Sequence, residues 1–207
     1  MINNTIDYWT FTQLVRERIA IPPVLAFKIK HFGDDWEHNI FKSKKDEVLQ
    51  IYNDDVCFTC IGGSSRDKAE WKSNFRFANI KNIFKKAKIL VQGLIHVGYW
   101  NGSNEVYNHP NFIKRGEMYY GCHSRGAGIA SVIVYRFGGT AVGFGTPKAF
   151  LKKVFFRSGR FINVRNPLDP VVHVVPFFAT VGEVRKVRFA KHPHTQYGHH
   201  INKEELI

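Results

Sequence analysis

Cysteine is scarce. Cys57, Cys60 and Cys122 are the only three in 207 residues, an odd and thinly spread set. It argues against a disulfide framework and suits a reducing compartment. Cys57-x-x-Cys60 has no second cysteine pair to complete a zinc site. The pair falls in 56–61, a segment of strand character, where an offset of three puts the two side chains on opposite faces. Both read as small core residues. Long apolar runs are missing as well, since no stretch approaches the ~20 residues of a membrane-spanning helix. The first residues show no basic head followed by an apolar run, so a signal peptide is not expected and the protein reads as cytoplasmic. Nor are there internal repeats or low-complexity linkers. The chain is expected to form one domain over 1–207, with 1–45 a helical extension packed on it.

Acidic residues are in the minority, with 17 Asp+Glu against 30 Lys+Arg and a formal net charge of +13. That balance suits an anionic partner or surface, and it also suits plain solubility. Much of the excess is clustered, as in Lys152, Lys153, Arg157 and Arg160, or Arg185, Lys186, Arg188 and Lys191. None of the clusters carries a nucleic-acid motif of stacking aromatics on a Gly-rich strand. A specific nucleic-acid partner is therefore not expected, whereas an anionic membrane surface is retained.

What the chain does contain is an alternation of strand and helix signals. A helix is expected over 10–20, with Thr10 and Gln13 as a capping box and Pro22-Pro23 as its stop. Residues 24–45 show no clear period. Segments 47–52 and 56–61 read as strands joined through Asn53-Asp54-Asp55, a hairpin by its turn residues. A short helix is expected over 66–75, an apolar run follows at 89–97, and only a short helix is expected within 100–116. Strands are expected at 118–122, 139–144, 160–164 and 183–189, with helices at 124–135 and 150–156. This pattern predicts a mainly parallel sheet with helices on both faces. Sites on such sheets form beyond the carboxyl ends of the strands. Ser124, Asp169 and a tail carrying His192, His194, His199 and His200 each follow a predicted strand, so all can meet at one edge.

The chain is organised around Cys122-His123-Ser124-Arg125-Gly126. A serine at a sharp strand-to-helix bend is the layout of a nucleophile elbow, which needs small neighbours where strand and helix approach. Gly126, Ala127 and Gly128 meet that need, while Cys122 replaces the first glycine of G-x-S-x-G. The plain alternatives are that Ser124 is only a helix N-cap and Asp169, between two prolines, only a turn residue.

Four blocks in order carry a family resemblance. They are Ile61-Gly62-Gly63-Ser64-Ser65 with Trp71-x-x-Asn74; His96-Val97-Gly98-Tyr99; His123-Ser124-x-Gly126 with Phe144-Gly145-Thr146-Pro147; and Asn166-Pro167-Leu168-Asp169-Pro170-Val171 with Pro176. Together they resemble the class 3 lipases, a family of α/β-hydrolases. The resemblance implies a small, lid-poor α/β-hydrolase fold and a serine acyl-ester hydrolase needing no cofactor and no metal. It implies Ser124 as nucleophile, Asp169 as the orienting acid and His194 as the base, with His192, His199 and His200 as alternatives. Backbone N–H groups of Ser64 and Arg125 would form the oxyanion hole. Substrates would be lipids or small acyl esters. His96, His123, Trp71 and Asn74 read as packing residues beside the site. Arg125 stands where the family has Leu or Met, and a cation beside the nucleophile points to substrates with a nearby negative charge. A fold-keeping but catalytically impaired protein that binds an anionic partner, a membrane surface or nucleic acid, through its basic surface is the second reading. A metal site in His192-x-His194 with His199 and His200 is the third, and it lacks an evident second-shell carboxylate.

Overall fold

The computed structural model describes residues 21–62, 90–91, 95–173 and 178–188, together with Thr12. Helix α1 (Ile21–His31) leads into three antiparallel strands, β1 (Glu37–Lys42), β2 (Glu47–Tyr52) and β3 (Val56–Ile61). Asn53 makes the tight link between β2 and β3. Its Oδ1 accepts from the Asp55 and Val56 N–H groups at 3.0 and 2.9 Å, an Asx turn. A two-stranded ribbon, β4 (Leu90–Val91) with β5 (Ile95–His96), precedes helix α2 (Val97–Tyr107). Strand β6 (Glu117–His123), helix α3 (Arg125–Phe137), β7 (Gly139–Phe144), β8 (Gly159–Arg165), a 3-10 turn (Pro170–His173) and β9 (Glu183–Lys186) complete the order.

The main sheet has seven strands in the order β1-β2-β3-β6-β7-β8-β9. From β3 to β9 every pairing is parallel. Alternation along the strands divides the apolar residues between two faces. Val48, Ile61, Tyr120, Cys122, Ala141 and Phe161 meet Ala127, Ile129, Ala130 and Ile133 of α3, which lies across β3, β6, β7 and β8, with α2 packed on α3. Leu49, Ile51, Phe58 and Cys60 point the other way, against Val24 and Phe32 from α1 and its exit. Helices therefore cover both faces, and all three cysteines are buried and free.

Several readings of the sequence are revised. Pro22 and Pro23 lie in the first turn of α1, where a missing N–H costs no hydrogen bond, while the helix they are expected to stop lies outside the described residues. The stretch without a clear period holds the rest of α1 and the edge strand β1. The helix expected within 100–116 begins earlier, at Val97, and runs 11 residues. The helix expected over 150–156 does not form. Around Phe150 the backbone is drawn into sheet-like bridges instead: Ala149 C=O accepts from His96 N–H at 2.9 Å, and Phe150 C=O from Ala179 N–H at 2.7 Å. The rings of Phe150 and Phe156 then pack among Tyr135 and Phe161, a spacing no helix presents on one face. The expected helices over 10–20 and 66–75 lie outside the described residues, Thr12 apart, and so does residue 189 of the last expected strand.

Candidate active site

Strand β6 delivers Ser124 to the carboxyl edge of the sheet, and α3 leaves from it. Between the two, Ser124 holds φ 54° and ψ −127°. No other non-glycine among the described residues has a positive φ. For a residue with a side chain this conformation costs ~1–3 kcal/mol and persists only where its surroundings enforce it. The enforcement is visible: Ser124 N–H donates to Phe144 C=O on β7 at 2.9 Å, and Ser124 C=O accepts from Gly128 N–H at 3.2 Å as α3 begins. The Ser124 side chain makes no capping hydrogen bond to the helix. An N-cap serine takes extended φ/ψ and caps with its oxygen, so the plain capping role does not describe this residue.

The small neighbours are a steric requirement. A Cβ on Gly126 would sit 2.0 Å from Ile61 C=O, because the end of β3 passes directly under the first turn of α3. Cys122 is accommodated for a related reason. The β3–β6 ladder ends at Thr59↔Tyr120, and beyond it the strands diverge. Cys122 Sγ fills that gap and accepts from Ile61 N–H at 3.3 Å, standing in for the missing ladder bond.

Arg125 corrects an expectation. Its guanidinium, expected to face an anionic substrate, closes instead on Asp46, just ahead of β2, with Nε–Oδ1 at 2.9 Å and Nη2–Oδ2 at 3.1 Å. The Asp46 side chain is 1% exposed and that of Arg125 20%, so the pair is largely out of water. Burial pulls the guanidinium pKa down, but the Asp46 carboxylate more than offsets it, and the net shift is upward. The backbone N–H of Arg125 remains at the start of α3, among the amides that have no acceptor within the helix.

Asp169 follows β8 and is fully buried. Its Oδ1 accepts from Val171 N–H at 2.8 Å, which starts the 3-10 turn, and its own N–H donates to Asn166 C=O at 3.0 Å. Buried Asn166 shapes the same bend by accepting from Leu168 N–H at 3.1 Å. Ser124 and Asp169 follow β6 and β8, parallel strands separated by β7 alone. Two strand spacings are roughly 9–10 Å, room for an imidazole hydrogen-bonded on both sides.

His123 and His96 are both buried. His96 caps α2, its Nδ1 accepting from Gly98 N–H at 3.1 Å, and its ring lies against Tyr99 and Phe178. Burial first, and the Arg125 charge second, push its pKa down to about 4, so the ring is neutral at physiological pH. Ser64, Trp71, Asn74, Pro176, His192, His194, His199 and His200 lie outside the described residues. Among the described residues no group of three His, Cys, Asp or Glu side chains could hold a metal ion, and no helix is long and apolar enough to cross a membrane. Sequence reasoning did not find Asp46. Its one local signal is the Ser43-x-x-Asp46 spacing, which reads as a turn: Ser43 Oγ and Asp46 exchange hydrogen bonds at 3.1 and 3.2 Å.

Among solved structures, the chain is similar to the Lip2 lipase from Yarrowia lipolytica, at 14% identity and a TM-score of 0.52, over 89% of this chain and 77% of that one. A triacylglycerol lipase from Penicillium expansum aligns at 11% identity and a TM-score of 0.44, over 94% of this chain and 81% of that one. No family model and no curated protein matches the chain. At such identity the first of these likenesses concerns the fold alone. With the mainly parallel sheet and helices on both faces, the fold is that of an α/β-hydrolase.

Proposed function

We propose that the protein is a lipase-like serine acyl-ester hydrolase in which Ser124 is the nucleophile, Asp169 the orienting acid and a C-terminal imidazole, His194 by the sequence reading, the base. The observation that carries this is the strained Ser124 backbone at φ 54°, enforced from both β7 and α3. Strain of this kind at a polar, uncapped serine is costly and has a use when the hydroxyl must be presented at a bend.

The chemistry follows from the weakness of a serine hydroxyl as a nucleophile at neutral pH. The imidazole takes the Oγ proton as Oγ bonds to the ester carbonyl carbon. The carbonyl oxygen becomes an oxyanion, met by the Arg125 N–H and, in this proposal, by the Ser64 N–H. The C–O bond then breaks, the alcohol leaves with the proton held by the imidazole, and the acyl group stays on Ser124. Water, deprotonated by the same imidazole, hydrolyses that ester and restores the serine. The buried Asp169 carboxylate holds the imidazole tautomer and balances its transient charge. Hydrolysis of p-nitrophenyl esters tests the reading: Ser124→Ala and Asp169→Asn are each expected to lower kcat by about 10³-fold or more. Turnover retained in Ser124→Ala would remove the serine from the mechanism.

One observation favours a second role at an anionic membrane surface. Phe155 is 90% exposed, in an irregular segment where Lys152, Lys153 and Arg157 are exposed too. An aromatic tip among cations suits a lipid interface. Cosedimentation with vesicles containing phosphatidylserine, lost in Phe155→Ser, supports it; equal binding to uncharged vesicles contradicts it.

A further inference from the structure

The Arg125–Asp46 pair joins two places that the hydrolase reading needs to keep in register. On one side is the Ser124–Arg125 peptide, whose N–H is the first oxyanion donor. The side chain of Arg125 leaves that peptide, passes Gly102 of α2, where an added Cβ would stand 3.3 Å from Nη2, and ends in the two-pronged contact with Asp46. On the other side is the exit of β3. Asp46 is fixed by the Ser43 turn, with Ser43 N–H on Asp46 C=O at 2.9 Å. The next residue, Glu47, accepts from Gly62 N–H at 2.7 Å. Gly62 opens the segment that carries Ser64, the other proposed donor. On the same side, a Cβ added to Gly126 would stand 2.0 Å from the Ile61 carbonyl oxygen and 3.0 Å from that of Gly62.

Resting on the hydrolase reading, we infer that the Arg125–Asp46 pair is a positioning device for the oxyanion hole: it fixes the Arg125 N–H relative to the β3 exit. Several features support this over a plain contribution to stability. A buried ion pair is seldom more stabilising than apolar side chains of similar volume. A guanidinium fork held at both nitrogens specifies orientation in a way a lysine or a methionine does not. The fork also springs from the residue whose own amide must be aimed. An oxyanion donor acts only when its N–H points at the developing charge, so a small rotation there is felt in the transition state and hardly at all in substrate binding.

The test compares wild type with the double variant Arg125→Met/Asp46→Leu, which removes both charges together and leaves neither buried alone. The readouts are kcat and KM on a p-nitrophenyl ester, the thermal midpoint, and the rate of Ser124 labelling by a fluorophosphonate. Positioning predicts a midpoint no lower than wild type, KM within about twofold, and kcat and labelling rate both reduced about tenfold or more. If the double variant does not fold, Arg125→Lys carries the same comparison, because it keeps the charge but loses the fork. A kcat within twofold of wild type in a folded variant, or a loss confined to KM, overturns the inference and leaves the hydrolase reading standing. Wild type that neither turns over nor labels at Ser124 overturns the hydrolase reading, and this inference with it.

Discussion

Ser124 and His96 are the two residues whose local energetics say most about what the elbow is for. Ser124 occupies a conformation that glycine adopts without penalty. Ser124→Gly is therefore expected to be more stable than Ser124→Ala by about 1 kcal/mol, read as a higher denaturation midpoint. Equal midpoints would mean the bend carries no strain. His96 makes stability depend on pH. Its folded pKa is about 4 against an ordinary 6.5. Between those values the unfolded chain holds a proton that the folded chain refuses, so stability falls as pH drops through 6.5 and levels off below about 4. At pH 4.5 the loss from this one group is about 2.5 kcal/mol. His96→Asn keeps an acceptor for the α2 cap, and it is expected to remove that share of the acid destabilisation. The measurement is the difference in unfolding free energy between pH 7 and pH 4.5, wild type against variant. An unchanged difference contradicts the buried, neutral assignment.

At the scale of elements, the sequence was legible where period and punctuation agree. The strand expected at 139–144 is β7 to the residue, flanked by Gly138-Gly139 and Gly145. Strand β6 and helix α3 lie within two residues of expectation, since apolar alternation and small residues mark both. What failed were segments whose conformation is set by distant partners. Nothing local in 150–156 reveals that Ile95 and Ala179 will claim the Phe150 backbone. Likewise, the loop after α2 depends on Gln50, far away in sequence on β2. Its Oε1 accepts from Ile113 N–H at 2.8 Å and its Nε2 donates to Ile113 C=O at 3.0 Å, so a buried side chain imitates a strand pairing. Gln50→Leu strands both groups and is expected to cost about 2–3 kcal/mol, seen as a lower urea midpoint with unchanged slope. A cost under about 0.5 kcal/mol would show that the loop finds other partners.

Taken whole, the molecule is a parallel sheet extended by an antiparallel hairpin, with its proposed chemistry at the carboxyl edge. The alternation of elements and the order of short blocks around Ser124 and Asp169 were enough to read the fold. The electrostatics were not legible, because pairing between Arg125 and Asp46 spans 79 positions and no local pattern announces it. That pair also bears on how the +13 charge is distributed: the Arg125 cation beside Ser124 is matched by Asp46 inside the fold, whereas Lys152, Lys153 and Arg157 are exposed. The central claim, an activated hydroxyl at the bend, is tested most directly by treating the intact protein with a fluorophosphonate and mapping the adduct by mass spectrometry. The account predicts one adduct, on Ser124, absent from Ser124→Ala and from heat-unfolded protein. No adduct on the folded wild type, or an adduct that persists in Ser124→Ala, would contradict it.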